Sequence, residues 1–161
     1  MLLLGIQLMG IDLFELKDAK DLFLEIQTAI REYHEKPNSR LFLFLVFALN
    51  HLREWIADSN YDAINAKKVS GIALNKAENF FCNIWRLKEF KTVNGLCNRS
   101  KHHLVSSHSK TSITQGFHCG SPCGDSLDQT YYLIDGIDSR IIFAAVILEY
   151  YNWFKSNGQI I

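Results

Sequence analysis

The chain has 161 residues, with 17 basic and 17 acidic side chains, so its formal net charge is zero with the six histidines neutral. Hydrophobic residues make up 48% and charged residues 21%, near the average for globular proteins. These figures exclude a disordered chain, a coiled coil, a disulfide miniprotein and a uniformly basic nucleic-acid protein. At about 100–200 residues per domain, a single domain over residues 1–161 is expected.

The first sixteen residues, MLLLGIQLMGIDLFEL, are apolar but have no basic flank before Lys17 and no small-residue cleavage site. They read as a short strand or a packed arm rather than a signal peptide, with Met9 as an alternative start. Residues 18–35 carry an apolar helical stripe of Leu22, Leu24, Ile26, Ile30 and Tyr33. Pro37 and Asn38 stop it, and Asn38 or Ser39 can cap a second helix over residues 40–57. The first half of that helix is apolar all round and is expected at the centre of the domain. The second half, with His51, Arg53, Glu54 and Trp55, is polar on some faces.

Residues 58–70 are mixed and polar, and a loop with a short turn is expected. A third helix is expected over residues 75–91, with Phe80, Phe81, Ile84, Trp85 and Leu87 as core. Asn94-Gly95 is a break signal, and a short helix over residues 96–105 should follow. Residues 106–138 hold four of the nine glycines, one of the two prolines and two of the four cysteines. Within them, residues 111–117 and 130–134 have strand character, and the loop 120–126 joins them as a hairpin. Asp138 can cap a last helix over residues 139–155, burying Ile142, Ala145, Val146, Tyr150 and Trp153. The three tryptophans are all expected in the core. The fold class is therefore mainly α: a four- to five-helix bundle with a β-hairpin (residues 106–138) inserted before the last helix.

The apolar runs at 41–49 and 141–148 fall short of the roughly 18–20 residues that cross a bilayer, so no membrane partner is expected. Without a secretion signal, Cys82, Cys97, Cys119 and Cys123 are expected to be reduced and the protein cytoplasmic. The zero charge hides a split. Residues 67–110 hold nine basic and two acidic side chains, a net +7, and the rest of the chain carries −7. One positive face could hold a phosphate backbone. Alternatively, basic and acidic helices neutralise each other side by side.

Three clusters carry chemistry. In Asn98-Arg99-Ser100-Lys101-His102-His103, helical spacing puts Asn98 with His102 and Arg99 with His103. Imidazoles, an amide and two cations together can move protons at neutral pH and hold a phosphate. The other reading is a solvated helix end whose cations complement the dipole. In the second cluster, His51 stands three residues before Glu54 and four before Trp55. An imidazole near the bundle interior needs a partner, and Glu54 can supply one. A shared groove would bring His51 and Glu54 opposite Asn98 and His102. The third cluster is His118-Cys119-Gly120-Ser121-Pro122-Cys123. Thiolate and imidazole suit zinc, with His108 or His118 completing the set, but the C-x3-C spacing departs from the usual C-x2-C. A hairpin loop with two thiols or a local disulfide is preferred, and neither a metal nor any other cofactor is expected.

The run Leu-Phe-Leu-Val-Phe-Ala-Leu-Asn-His-Leu-Arg-Glu-Trp, ending at Trp55, together with Cys97-Asn98-Arg99-Ser100-Lys101-His102, resembles a group of small bacterial and phage-associated helical proteins. Their plan is similar to HEPN (higher eukaryotes and prokaryotes nucleotide-binding) domains, over residues 40–105 and the last helix. That resemblance implies a helical bundle, often dimeric, with RNA or a nucleotide as partner and metal-independent RNase chemistry in many members. Cleaving members use an Arg followed by a His with four to six residues between. Here three residues separate Arg99 from His103, and eight separate Arg99 from His108. Transferred to these residues, the chemistry would make His102 or His103 the acid–base group. Arg99 and Lys101 would steady phosphate charge, and Asn98 would orient the imidazole. The alternative is a non-catalytic interaction module in which both polar clusters form a structural network.

Overall fold

The computed structural model describes residues 16–101, 109–117, 119 and 121–159. Its elements are α1 (Ala19–Glu35), α2 (Ser39–Ala57), α3 (Tyr61–Val69), α4 (Lys76–Asn83), a 3₁₀ turn (Ile84–Arg86), α5 (Lys88–Lys101), β1 (Thr111–Gln115), β2 (Thr130–Ile134), β3 (Ile137–Asp138) and α6 (Ser139–Ser156). The fold is mainly α, with a small antiparallel sheet placed before the last helix. No described helix is long and apolar enough to cross a membrane.

Side-chain caps set most helix starts. Asp18 accepts from the N–H groups of Lys20 and Asp21, Asn38 from Leu41, Asn60 from Ala63, and Asp138 from Arg140. Each cap satisfies first-turn donors that have no partner within the helix. Asn75 and Glu78 form a reciprocal capping box at the start of α4. The helices close over one main core. Phe23 stacks on Phe154 at 4.9 Å between α1 and α6. Tyr33 shares a 2.8 Å hydrogen bond with Ser139, and the buried Tyr150 hydroxyl donates to the Leu49 carbonyl at 2.7 Å.

Several expectations fail for physical reasons. Residues 58–70 are not a loop. Asp58, in the left-handed region at φ 45°, ends α2, and Asn60 immediately caps α3, which buries Ile64. A Lys67–Glu78 ion pair ties α3 to α4. The helix expected over 75–91 is broken by the 3₁₀ turn. Leu87 then turns extended, so that both Ile84 and Phe90 reach the core. Asn94-Gly95 does not break the chain; both residues lie inside α5. The short helix expected over 96–105 is, as far as it is described, the end of α5. Residues 102–108 lie outside the described residues, as do 1–15, over which the strand or arm was expected.

The hairpin is a three-stranded meander. β1 pairs with β2 in the register Ile113↔Tyr132, and β2 pairs with β3 in the register Ile134↔Ile137. Asp135 and Gly136, at φ 52° and 79°, make the second turn. Positive φ at both positions matches the right-handed twist of the strands.

The tryptophans are not core. Trp55 and Trp85 are exposed, and Trp153 is half-buried against Phe80. Their places are taken by Phe23, Phe90, Phe143 and Phe154, all buried. Ala145 is half-buried and Leu24 is exposed. The apolar half of α2 is not wholly interior either, since Leu43 and Phe44 are exposed. A helix packed on only part of its circumference leaves the rest to solvent whatever its composition.

Candidate functional site

α2 and α5 pack side by side, and the polar second half of α2 meets the C-terminal half of α5. His51 lies at this seam. Its Nδ1 is 2.9 Å from Glu54 Oε2, one helical turn on. Its Nε2 is 2.8 Å from Lys101 Nζ and 3.9 Å from Cys97 Sγ. The His51 and Glu54 side chains are each 32% exposed, so the group sits at a wet edge rather than in the core.

The charges respond to this arrangement. Hydrogen bonds donated to Cys97 and then to Glu54 raise the His51 pKa from 6.5 to about 9, against burial and the Lys101 ammonium. The same pair, with His51 as the main cause, holds the Glu54 carboxyl below its usual range. Nε2 cannot both carry a proton and accept one from an ammonium. The 2.8 Å Lys101 contact therefore belongs to the neutral imidazole, with Nδ1–H donated to Glu54. Protonation of Nε2 is incompatible with this contact.

Beside the seam runs an asparagine ladder. Asn98 Nδ2 donates to Asn94 Oδ1 at 3.1 Å, and Asn94 Nδ2 donates to the buried Asn50 Oδ1 at 2.7 Å. The hydrogen-bonding partners that α5 offers to α2 are thus Lys101, Cys97 and Asn94. Asn98 itself bonds back along its own helix. Arg99 donates to the Ser109 carbonyl at 3.1 Å. His102, His103 and His108 lie outside the described residues.

No family model, curated protein or solved structure matches the chain.

The third cluster is reached only in part. Cys119 and Cys123 are exposed free thiols, as Cys82 and Cys97 are free, and His118 lies outside the described residues. No group of three metal-binding side chains occurs among the described residues. The nearby polar centre is instead Arg140. Its guanidinium donates to both oxygens of Asp125, at 2.9 and 2.7 Å, and to Asp138 Oδ2, at 2.9 and 2.7 Å. Asp125 also accepts from the Tyr131 hydroxyl at 3.0 Å. This clasp fastens the loop between β1 and β2 to the start of α6.

Asn50, Asn94 and Arg53 were not among the site residues expected from the sequence, and Cys97 entered only as part of the motif that carries the resemblance. A signal existed for two of them. Asn94 and Asn98 stand four apart on one helix face, and Arg53 stands four residues after Leu49 on the core face of α2.

Proposed function

We propose that the chain is an RNA- or nucleotide-binding helical domain whose α2–α5 seam performs acid–base chemistry on phosphodiesters. The observation that carries this reading is His51 gripped by Glu54 on one nitrogen and facing the Lys101 ammonium with the other. A carboxylate on Nδ1 fixes the tautomer and orientation of an imidazole, leaving Nε2 as the working nitrogen. With its pKa raised, His51 is suited to donate a proton rather than to take one. Lys101, displaced from Nε2 on protonation, is free to pair with a phosphate oxygen.

In RNA cleavage of this kind, the ribose 2′-oxygen attacks the adjacent phosphorus and its proton passes to a base. The bond from phosphorus to the 5′-oxygen breaks, a 2′,3′-cyclic phosphate forms, and the leaving oxygen takes the His51 proton. The sequence puts His102 and His103 next to Lys101, so either imidazole is the base. The reading also takes its likeness to HEPN domains as support for a homodimer, and its free cysteines as support for a reducing, cytoplasmic setting.

The test is incubation of purified protein with a defined RNA in EDTA, beside His51→Gln, His102→Ala and Lys101→Met. Cleavage to cyclic-phosphate ends is expected, lost in His51→Gln and His102→Ala and weakened in Lys101→Met. Absence of both cleavage and RNA retardation with wild type would overturn the reading. The asparagine ladder favours a second one, a non-catalytic module held by polar contacts, because its amides satisfy each other within the protein. That reading expects stability, and not RNA binding, to fall in the same variants.

A further inference from the structure

Arg53 carries a buried charge with no ion-pair partner among the described residues. It is only 7% exposed on the core face of α2. Its guanidinium carbon lies 4.3 Å from the Phe81 ring centroid, 4.8 Å from Phe90 and 5.3 Å from Trp85. Among the described residues it makes no ion pair, and its Nε has no hydrogen-bond partner. Aromatic faces offset part of the lost hydration of a cation. They do not accept hydrogen bonds in the guanidinium plane as a carboxylate or phosphate does. A buried cation left in this condition calls for an anion.

Space for one adjoins it. Arg53 lines a cavity of about 440 Å³ between α2, α3, α4 and α5, within the size range of small-molecule sites. Lys68 of α3 and Asn94 of α5 supply further polar groups on its wall, and Tyr61 and Trp85 supply exposed rings. Among the described residues, nothing acidic lines it.

We infer that this cavity binds a small aromatic oxyanion, a flat ring bearing a carboxylate or a phosphate. The oxyanion pairs with Arg53 at the wall and with Lys68 at the rim. The ring lies against Trp85 and Tyr61. The site shares Asn94 with the asparagine ladder but none of His51, Glu54 and Lys101, and it does not depend on RNA chemistry at the seam.

Calorimetric titration of the full chain with phenyl phosphate, benzoate, inorganic phosphate and phenol tests the assignment. At least one of the two aromatic anions is expected to bind about tenfold or more tighter than phenol and than inorganic phosphate, and the stronger of the two identifies the head group. Arg53→Met should abolish that preference, and Lys68→Glu should weaken binding severalfold. Lys68 is exposed, so Lys68→Glu keeps the test decisive if Arg53→Met fails to fold. Equal binding of phenol would reduce the site to an apolar cavity and overturn the proposal. Equal binding of inorganic phosphate would remove the ring from it and overturn it as stated. Absence of binding by both aromatic anions, or affinity unchanged in Lys68→Glu, overturns it as well.

Discussion

Lys101 Nζ stands 2.8 Å from His51 Nε2, joining two helices fifty residues apart in sequence. Because one nitrogen cannot hold a proton and also accept one, the contact and the imidazolium are alternatives. Lys101→Met therefore removes an opposing charge and should raise the His51 midpoint, whereas Glu54→Gln should lower it. Both are read by NMR titration of the imidazole. A wild-type midpoint at or below 6.5 would contradict the raised value.

The same pair gives stability a pH profile. The His51 pKa is raised in the folded state, from 6.5 to about 9. Its contribution is therefore full below pH 6.5 and lost as pH climbs through about 9. The Glu54 pKa is lowered from 4.5, so its contribution is present above that pH and lost as pH falls through the depressed value. The two overlap in full between pH 4.5 and 6.5. There wild type should exceed His51→Gln by about 0.5–1 kcal/mol, the size expected of a pair this open to solvent. Denaturant melts of both proteins at pH 5.5 and 9.5 should show the gap shrink at the higher pH.

Arg140 is the opposite case, an ion cluster shut away from water. Its side chain is 6% exposed, and those of Asp125 and Asp138 are 9% and 15% exposed. Removing the guanidinium leaves both carboxylates charged and without their cation, which costs about 3–5 kcal/mol in buried pairs. Arg140→Met should destabilise by that order in urea unfolding. Asp125→Asn should free the loop between β1 and β2 first, seen as faster amide exchange there before global unfolding. Exchange that stays uniform across the chain would rule out a clasp role for Asp125.

Asn50 is 3% exposed, and its Oδ1 accepts from Asn94. Asn94→Ala should cost about 1–3 kcal/mol, because it strands a buried acceptor. The double variant Asn50→Leu, Asn94→Leu should recover much of that loss, since no polar group remains to satisfy. Chemical denaturation of the three proteins measures the difference. Additive losses would show that the two amides are not coupled.

Local signals made the helix frame legible. Asn38 and Asp138 cap the helices that the sequence assigns to them, and the stripes of α1 and α6 identify Leu22, Ile26, Tyr33, Ile142, Val146 and Tyr150 among their buried residues. The His51–Glu54 pair follows from spacing on one helix. Asp135-Gly136 between Ile134 and Ile137 is a strong hairpin signal, and the third strand was readable from it. What could not be read depends on distant partners. Lys101 meets His51, and Arg140 meets Asp125, only through tertiary packing. Trp55 and Trp85 have the composition of core, yet they sit at exposed helix positions because smaller and aromatic neighbours already fill the interior. α3 was hidden because its nine residues bury little beyond Ile64. Its stability comes from the Asn60 cap and the Lys67–Glu78 pair.

Gly95 shows why a break signal can fail, and gives a further prediction. Glycine in a helix interior costs about 0.5–1 kcal/mol relative to alanine, which is why Asn94-Gly95 reads as a boundary. In α5 that cost is overridden by the buried Phe90, Val93, Leu96 and Cys97 on both sides of it, with Asn94 also bonded to Asn50. A Cβ built at Gly95 meets nothing within 4 Å. Its φ lies outside the left-handed region, so alanine brings no backbone strain. Gly95→Ala should therefore stabilise the protein by about 0.5–1 kcal/mol, acting partly through the unfolded chain. Thermal melts should show a higher Tm with the His51 titration unchanged. A lower Tm would mean that α5 needs the glycine for a close approach to another surface, such as a bound ligand or a second copy of the chain.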